Sequence, residues 1–182
     1  MTPEIRRADS ADWPEIARLC EDTGRQGDPV DDAERGPFGE HWIGPYRELR
    51  PDWTFVAVLN GKITGYLTGC PDTLSFEKER RRVFNPGPDS RELFTLETRL
   101  KMWAEYPAHI HMNVAPGLRR SGAGRAMLDA YFAALRKAGV ASLHVVCGPN
   151  ARPFWEHVGF REYATVEAAP GVVVSALALK IS

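Results

Sequence analysis

The chain has 182 residues, of which 43% are hydrophobic and 26% are charged. This composition is ordinary for a globular protein of about one domain, and it excludes the disordered, collagen-like and coiled-coil classes. Lys and Arg total 23 against 24 for Asp and Glu, so the formal net charge is −1 and no global field attracts nucleic acid or an anionic membrane. We therefore expect a single domain over residues 1–182 whose anion sites are local.

The cysteines and the N-terminus indicate the compartment. Cys20, Cys70 and Cys147 are an odd set without CxxC spacing, which argues against a disulfide framework or a zinc site. The N-terminus lacks the apolar stretch of a signal peptide, and no apolar run approaches the roughly 18 residues of a membrane-spanning helix. We expect a soluble cytoplasmic protein without a bound metal, present as a monomer or a homodimer.

The first 45 residues predict a strand, a helix and a long loop. Residues 5–8 suit a short strand, and Asp12, with Pro14 and Glu15 behind it, is typical of a capped helix start. This helix is expected to end near residue 20. Residues 24–45 are rich in Gly, Pro and Asp, which predicts a long loop with at most one helical turn.

The next segment predicts a hairpin and two helices. Asn60-Gly61 between residues 54–59 and 62–68 predicts a type I′ turn, because both residues adopt positive φ easily. Residues 74–84 predict a helix whose charged run at 77–82 is a solvated face, ended by Asn-Pro-Gly-Pro at 85–88. A second amphipathic helix starts at a cap at Asp89 or Ser90 and ends near Tyr106. Its expected core residues are Leu93, Leu96, Leu100 and Trp103.

Residues 108–147 predict a β-α-β unit with parallel strands and a right-handed crossover. Residues 108–114 alternate strictly, and this places His109, His111 and Asn113 on one polar face. An apolar helical face follows the turn at 116–124, stops at Gly139 and precedes a strand at 141–147. A short helix over 150–157, closed by Gly159, and an antiparallel pair at 160–166 and 172–179 complete the prediction.

The turn between strand and helix is the strongest candidate for an anion site. Main-chain N–H groups at a helix start have no partner inside the helix, and glycines let a diphosphate approach them closely. Guanidinium groups add charge-assisted hydrogen bonds to phosphate oxygens. The spacing is neither a Walker A motif nor GxGxxG, and a tight connection on a solvated surface is the alternative. The residues concerned are Arg119, Arg120, Ser121, Gly122, Ala123, Gly124 and Arg125.

Two motifs together resemble those of the GNAT N-acetyltransferases. Val114-x-Pro116-x-x-Arg119-x-x-Gly122-x-Gly124 is similar to the acetyl-CoA motif of that family. Asn150-x-x-x-Phe154-Trp155, followed by Gly159-Phe160, resembles the second motif, in which an Asn opens a short helix beside the coenzyme. The resemblance implies an α/β fold with a mixed central sheet of about six or seven strands, flanked by helices and containing a β-α-β coenzyme-binding unit.

A closer similarity is to the acetyltransferase-like C-terminal domain of animal O-GlcNAcases. It rests on short stretches, namely Gly44-Pro45-Tyr46, Gly65-Tyr66, Asp72 with Phe76, and Tyr106-Pro107 before Ile110-x-Met112. The animal domains depart from the phosphate motif, whereas this chain retains it. The chain is thus expected to be a free-standing relative of that domain that binds the coenzyme.

The resemblance implies direct attack of an amine on the thioester of acetyl-CoA, with CoA as product. Main-chain contacts of Met112 and Val114 are then expected to hold the pantetheine, with Asn150, Phe154 and Trp155 beside it. The candidate catalytic residues are His109, His111, Asn113 and Asp72. Each histidine could instead be a solvated or structural residue, and Asp72 a turn or cap residue. Trp155 stands where many members have a Tyr that protonates the leaving thiolate. Either Tyr46 or Tyr66 replaces that Tyr, or the weakly basic thiolate leaves without an acid and turnover is slower.

The acceptor is expected to be a primary amine, on a small molecule or on a peptide or protein lysine. Asp28, Asp31, Asp32 and Glu34 form either a solvated loop or a local acidic rim for such an amine. The alternative function is a catalytically weak or inactive module that binds coenzyme A or a protein partner.

Overall fold

A computed structural model of the chain describes residues 2–25, 27–84 and 90–181. In this part of the chain seven strands form one mixed sheet in the order β1-β2-β3-β4-β5-β7-β6, accompanied by six α-helices, so the predicted fold class is confirmed. The strands are β1 (Glu4–Arg7), β2 (Phe55–Leu59), β3 (Lys62–Cys70), β4 (Ala108–Val114), β5 (Ser142–Cys147), β6 (Arg161–Ala169) and β7 (Val172–Lys180). The helices are α1 (Trp13–Thr23), α2 (Pro37–Leu49), α3 (Thr73–Val83), α4 (Leu96–Glu105), α5 (Ala123–Lys137) and α6 (Arg152–Val158).

The chain forms two compact units, each assembled from two separate stretches. The first unit comprises Met1–Cys70 and His111–Ala134, and the second comprises Pro71–Ile110 and Leu135–Ser182. The chain passes from one unit to the other three times, namely between Cys70 and Pro71, inside β4 and inside α5. In the described residues no helix is long and apolar enough to cross a membrane.

The first unit packs α1 and α2 against the β2–β3 hairpin. Ile16 and Ile43 from the two helices meet Val56 and Tyr66 of the strands in one buried cluster. The hairpin turn is as predicted, with φ of 52° at Asn60 and 73° at the following glycine.

The start of α1 differs from the predicted cap. Asp12 is the first residue before the helix, but its side chain does not cap it. Its carboxylate instead accepts two hydrogen bonds from the guanidinium of Arg6 and one from Asp9 N. A bidentate ion pair to β1 has therefore displaced the local cap, and the helix continues three residues beyond the predicted end, to Thr23.

The predicted long loop over residues 24–45 is wrong in its second half. A 13-residue helix, α2, begins at Pro37 and contains Pro45. Its glycines lie at helix contacts: a Cβ on Gly39 would come within 3.3 Å of the Ala17 Cβ on α1. Close packing between the two helices explains residues that look like loop residues when only local preference is considered.

The second unit has its own core, in which Met102 and Trp103 of α4 pack with Val174 and Ala176 of β7. The helix predicted over 74–84 is confirmed as α3, but its charged run is not wholly solvated. Glu77 and Arg80 are 5% and 2% exposed and form an ion pair of 2.8 Å.

The core predicted for the next helix is largely wrong. Leu93, Leu96 and Leu100 are 42%, 59% and 44% exposed, whereas Trp103 is buried as expected. The helix starts later than predicted, since Thr95 caps α4 by accepting a hydrogen bond from Thr98 N. The proposed cap at Asp89 and the Asn-Pro-Gly-Pro break at 85–88 lie outside the described residues.

The parallel strands and the element order of the predicted β-α-β unit are confirmed. β4 and β5 are parallel, with Ala108 opposite Leu143 and His109 opposite His144. β6 and β7 pair antiparallel around a turn in which Gly171 has φ of 76°.

Candidate active site

The C-terminal half of β4, in the first unit, presents a connected polar group. Asn113 Nδ2 donates a hydrogen bond of 2.7 Å to the hydroxyl of Tyr66 on β3. The same nitrogen lies 3.5 Å from His111 Nε2. Because an amide NH₂ can only donate, a bond at that distance requires a lone pair on His111 Nε2. His111 and Asn113 are half-buried, so both remain within reach of a ligand.

Aromatic rings surround this group on one side. The Trp42 ring of α2 lies 5.3 Å from the His111 ring, and His41 packs its edge on Trp42 at 5.2 Å. The loop prediction for residues 24–45 assigns no role to Trp42. The helical spacing of Phe38, Trp42 and Tyr46 is the signal that could have identified this aromatic face.

Tyr66 is the buried end of the group. Its side chain is 0% exposed, and burial raises the pKa of the phenol well above its ordinary value, with a smaller contribution from the neighbouring Cys20. Burial likewise raises the pKa of the Cys20 thiol to about 12. The Tyr66 hydroxyl therefore stays protonated and uncharged at any working pH.

The other candidate histidine belongs to the second unit and is 4% exposed. His109 Nδ1 lies 2.8 Å from Thr73 Oγ1, and that hydroxyl donates its proton to Pro107 O at 2.6 Å. Because the hydroxyl has one proton, His109 must supply the proton on Nδ1, which leaves the lone pair on Nε2 when the ring is neutral. His144 likewise has Nδ1 at 2.7 Å from a carbonyl, that of Tyr106, so its Nδ1 also carries a proton.

Asp72 also lies in the second unit, at the start of α3. Its carboxylate accepts a hydrogen bond of 3.0 Å from Ser75 N, which is an N-cap. The structure therefore places Asp72 in the capping role that the sequence analysis left open beside the catalytic one. His109, His111 and Asn113 follow one another on β4, yet His111 and Asn113 share the first unit and His109 does not.

The turn before α5 is the candidate anion site, and two of its residues have positive φ. Arg120 and Gly122 have φ of 67° and 89°, and a Cβ at Gly122 would meet nothing within 4 Å. The first main-chain bond of the helix runs from Ala126 N to Gly122 O, so the N–H groups of Gly124 and Arg125 precede it. Ala123 N makes a long bond of 3.4 Å to Ser121 Oγ.

Three exposed arginines flank this turn. Arg119 donates to Gly27 O at 3.2 Å, and Arg125 pairs with Asp129 at 2.9 Å. Arg120 is exposed. These contacts leave all three guanidinium groups exposed to solvent, so each group can instead donate hydrogen bonds to a phosphate.

The remaining expected coenzyme residues fall into both units. Met112 and Val114 are half-buried on β4 in the first unit. Asn150, Phe154 and Trp155 are in the second unit, where Trp155 is 4% exposed and packs on Phe160 at 5.2 Å. Trp155 is thus a core residue of α6, and Phe154 is 36% exposed.

The acidic residues of the 24–36 segment are partly neutralised. Arg25 pairs with Asp31 and Glu34, and Arg35 pairs with Asp32. These ion pairs are exposed, which supports the solvated-loop interpretation. In the described residues no group of three or more His, Cys, Asp and Glu could hold a metal ion.

Comparison with known proteins agrees with this geometry. The solved structure of SsHAT matches with a TM-score of 0.81 and 27% sequence identity over 100% of both chains. Polyamine N-acetyltransferase of Drosophila melanogaster, which catalyses the formation of N-acetylagmatine, matches with a TM-score of 0.69 and 15% identity, over 98% of this chain and 99% of that chain. The protein yncA of Salmonella typhimurium, solved with its cofactor acetyl-CoA, matches with a TM-score of 0.63 and 17% identity, over 100% of this chain and 95% of that chain. At such identities the last two show the fold alone.

Residues 13–160 match the acetyltransferase (GNAT) family, which is most of the chain. The sheet order, the parallel β4–β5 pair and the glycine turn before α5 agree with that match. The chain therefore belongs to the GNAT acetyltransferase family and is an acetyl-CoA-dependent N-acetyltransferase.

Proposed function

We propose that this chain binds acetyl-CoA at the 119–124 turn and transfers the acetyl group to a primary amine beside His111 and Asn113. The observation that carries the proposal is the turn itself, with its positive φ values, open space at Gly122 and N–H groups ahead of the first helical bond. In this proposal the main chain of 119–124 and Arg119, Arg120 and Arg125 hold the diphosphate. Met112 and Val114 contact the pantetheine, and the second-motif residues Asn150, Phe154 and Trp155 stay a prediction.

The chemistry is a direct transfer. The amine nitrogen attacks the thioester carbonyl carbon, a C–N bond forms, the C–S bond breaks, and the thiolate leaves with the electron pair. A lysine-like ammonium has a pKa near 10.4, so freeing its lone pair at pH 7 costs roughly 4 to 5 kcal/mol. A base that accepts this proton is therefore a large part of catalysis.

His111 is our choice for that base. Its Nε2 carries the lone pair beside Asn113, and its ring is half-buried in the unit that contains the turn. His109 has a lone pair on Nε2 as well, but it is 4% exposed and bonded to Thr73, which favours a structural role. Asp72 is likewise assigned to capping, and the CoA thiolate, whose thiol pKa is near 8.5, can take its proton from water.

The acceptor is an amine that fits beside an aromatic ring. Trp42 and His111 supply such a ring wall, whereas the acidic residues at 31–34 are paired with Arg25 and Arg35 and add little net charge. The GNAT neighbours of known substrate acetylate amines, and the motif similarity to the O-GlcNAcase C-terminal domain is compatible with a protein lysine. The family match does not favour a binding module without turnover, and the turnover assay distinguishes the two.

The site is tested by calorimetric titration of acetyl-CoA into Gly122→Asp, with Gly122→Asn as the matched control. Both variants have the same shape and the same strain at φ of 89°, but only Asp brings a negative charge to the diphosphate. We expect at least about a hundredfold weaker binding for Asp than for Asn, which corresponds to about 3 kcal/mol. Gly139→Asp, at φ of 72° beyond the other end of α5, should bind like the wild type. Equal affinities of the Gly122→Asp and Gly122→Asn variants for acetyl-CoA would contradict the assignment of the diphosphate site to this turn.

Turnover is tested by following free thiol with agmatine, a linear polyamine and a lysine peptide as acceptors. The chain's own thiols contribute little background, since Cys20, Cys70 and Cys147 are buried. Amine-dependent thiol release supports the transferase. Tight acetyl-CoA binding with release at the rate of hydrolysis alone supports the binding module instead.

A further inference from the structure

Tyr66 sits behind the proposed acetyl-transfer site without reaching it. Its side chain is 0% exposed, so no substrate can touch it, yet its hydroxyl accepts the 2.7 Å hydrogen bond from Asn113. Its ring also packs edge-on against His111 at 5.7 Å. One buried residue therefore contacts both polar side chains that β4 presents in the first unit.

The hydrogen bond fixes which corner of the Asn113 carboxamide faces outward. The amide is planar and two-ended, with a donor NH₂ and an acceptor oxygen. Nδ2 is held between the Tyr66 hydroxyl and His111 Nε2, so Oδ1 lies at the opposite corner of the same plane. Asn113 is half-buried, whereas Tyr66 is inaccessible, so the accessible end of the amide is the acceptor end.

An acceptor oxygen is what an incoming amine requires. A neutral amine about to attack has two N–H groups and one lone pair, and a hydrogen bond from one N–H orients the lone pair toward the thioester. His111 Nε2 has a single lone pair, so it can take the proton that the amine nitrogen loses once the long 3.5 Å contact with Asn113 Nδ2 opens. We propose that Tyr66 is a positioning residue, which holds the Asn113 carboxamide so that its Oδ1 accepts a hydrogen bond from the amine substrate. This inference rests on the proposed function of the His111 and Asn113 site.

Double-mutant kinetics provide the test. Tyr66→Phe removes the hydroxyl and retains the ring, and we expect kcat/KM for the amine to fall about tenfold while the affinity for acetyl-CoA is unchanged. Asn113→Ala should lose at least as much. The double variant should be no worse than Asn113→Ala alone, because Tyr66 acts only through Asn113. Losses that multiply in the double variant, or a Tyr66→Phe variant with normal kcat/KM, would overturn the proposal.

Tyr131→Phe is the matched control. Tyr131 is also 0% exposed and in the first unit, but its hydroxyl donates to Cys70 O at 3.2 Å and not to Asn113. This variant should have the same kcat/KM as the wild type even where it costs stability. A tenfold loss in Tyr131→Phe as well would show that removing any buried phenol has this effect, which contradicts a specific role of Tyr66.

A measurement without turnover separates this inference from the proposed function. The side-chain ¹⁵N–¹H₂ signal of Asn113, assigned by its loss in Asn113→Ala, should exchange slowly with water in the wild type. This readout needs neither an active enzyme nor a folded Tyr66 variant. Slow exchange, combined with no release of free thiol from acetyl-CoA with any amine, would contradict the proposed transferase activity but support the contact between Tyr66 and Asn113. Exchange as fast as that of an exposed Asn would overturn the positioning itself.

Discussion

Thr73, in the second unit, takes part in three hydrogen bonds. Its N–H and its hydroxyl both donate to Pro107 O, at 2.8 and 2.6 Å, and its Oγ1 accepts from His109 Nδ1 at 2.8 Å. These bonds join the start of α3 to β4 and fix the tautomer of His109. The residue is 0% exposed, so water cannot replace a lost partner.

Thr73→Val should therefore lower the free energy of unfolding by about 1–3 kcal/mol, because it leaves a buried histidine N–H without this acceptor. The shape of the side chain is nearly unchanged, so packing contributes little. Thr73→Ser retains the hydroxyl and should cost less than half as much. Urea unfolding of the three proteins measures the difference, and equal stabilities for Val and Ser would contradict the role of the hydroxyl.

Sequence alternation predicts the strand that carries the candidate site residues better than it predicts their hydrogen-bond partners. It placed His109, His111 and Asn113 on one strand, which the structure confirms. It could not show that Thr73 meets His109 or that Tyr66 meets Asn113, since these partners are 36 and 47 residues apart in the chain. Such pairings depend on strand order, which no local pattern contains.

Helix α2 shows why glycine and proline do not always predict a loop. Pro37 occupies the first turn, where its missing N–H is harmless, and Gly39 lies where α2 meets α1. A local preference scale counts such residues as helix breakers, whereas the packing of two helices favours them. The Asn-Gly hairpin was predicted correctly because its requirement, two positive φ values, is entirely local.

The two glycines of α2 should respond oppositely to alanine. A Cβ on Gly39 would come within 2.5 Å of Glu21 Oε1, a buried carboxylate oxygen that accepts a hydrogen bond from Gly36 N. Displacing that oxygen costs about 1.5–3 kcal/mol, more than the roughly 1 kcal/mol that alanine gains in a helix. Gly39→Ala should therefore destabilise the protein.

Gly44→Ala is the internal control for that prediction. The three atoms nearest its new Cβ all belong to the carboxylate end of Glu40, whose exposed ion pair with Arg47 can shift at little cost, so the helix-propensity gain of up to about 1 kcal/mol should prevail. Thermal unfolding measures both variants. Destabilisation of the same size at both positions would show that crowding at Glu21 is not the cause.

The ion pair between β1 and α1 should make part of the stability depend on pH. The hydrogen bonds from Arg6 lower the pKa of Asp12 below its ordinary value of 3.8. The unfolded chain then binds the proton more readily, so this contribution is complete above about pH 4 and is lost as pH falls through the folded pKa. Asp12→Asn should cost about 1 kcal/mol at pH 7, and the difference from the wild type should vanish in strong acid.

Asp9→Asn is the control for this pair. Asp9 lies 3.7 Å from the same Arg6 but is 65% exposed, so its removal should change stability by less than about 0.5 kcal/mol. Urea unfolding at pH 7 and pH 2.5 measures each difference. A constant penalty for Asp12→Asn across that range would contradict the electrostatic origin.

The two GNAT-like motifs predict the fold of the chain but not which apolar side chains are exposed. The order of strand, glycine turn, helix and strand along the sequence is sufficient to predict the β-α-β unit. The helical spacing of Leu93, Leu96 and Leu100 was interpreted as core, yet these residues are exposed. Apolar spacing identifies one face of a helix, and only tertiary packing decides that Phe94, Met102 and Trp103 face the core.

Acetyl-CoA should stabilise the chain as one cooperative whole. β4 and α5 each contribute residues to both compact units, and a helix or strand interrupted in its middle loses its main-chain bonds on both sides of the break. We therefore expect a single thermal transition. At a hundred times Kd the ligand adds about 2.7 kcal/mol, which raises Tm by about 5–11 °C for a chain of this length.

Differential scanning calorimetry of the wild type and Gly122→Asp, each with and without acetyl-CoA, checks this expectation. The variant should unfold in one transition that the ligand does not move, because its diphosphate site is blocked while its fold is retained. Two separate transitions, of which acetyl-CoA shifts only one, would mean that the units unfold independently. The main-chain bonds of α5 across residues 134 and 135 would then be too weak to couple the unfolding of the two units. Acetyl-CoA would stabilise only the first unit, which contains the 119–124 turn.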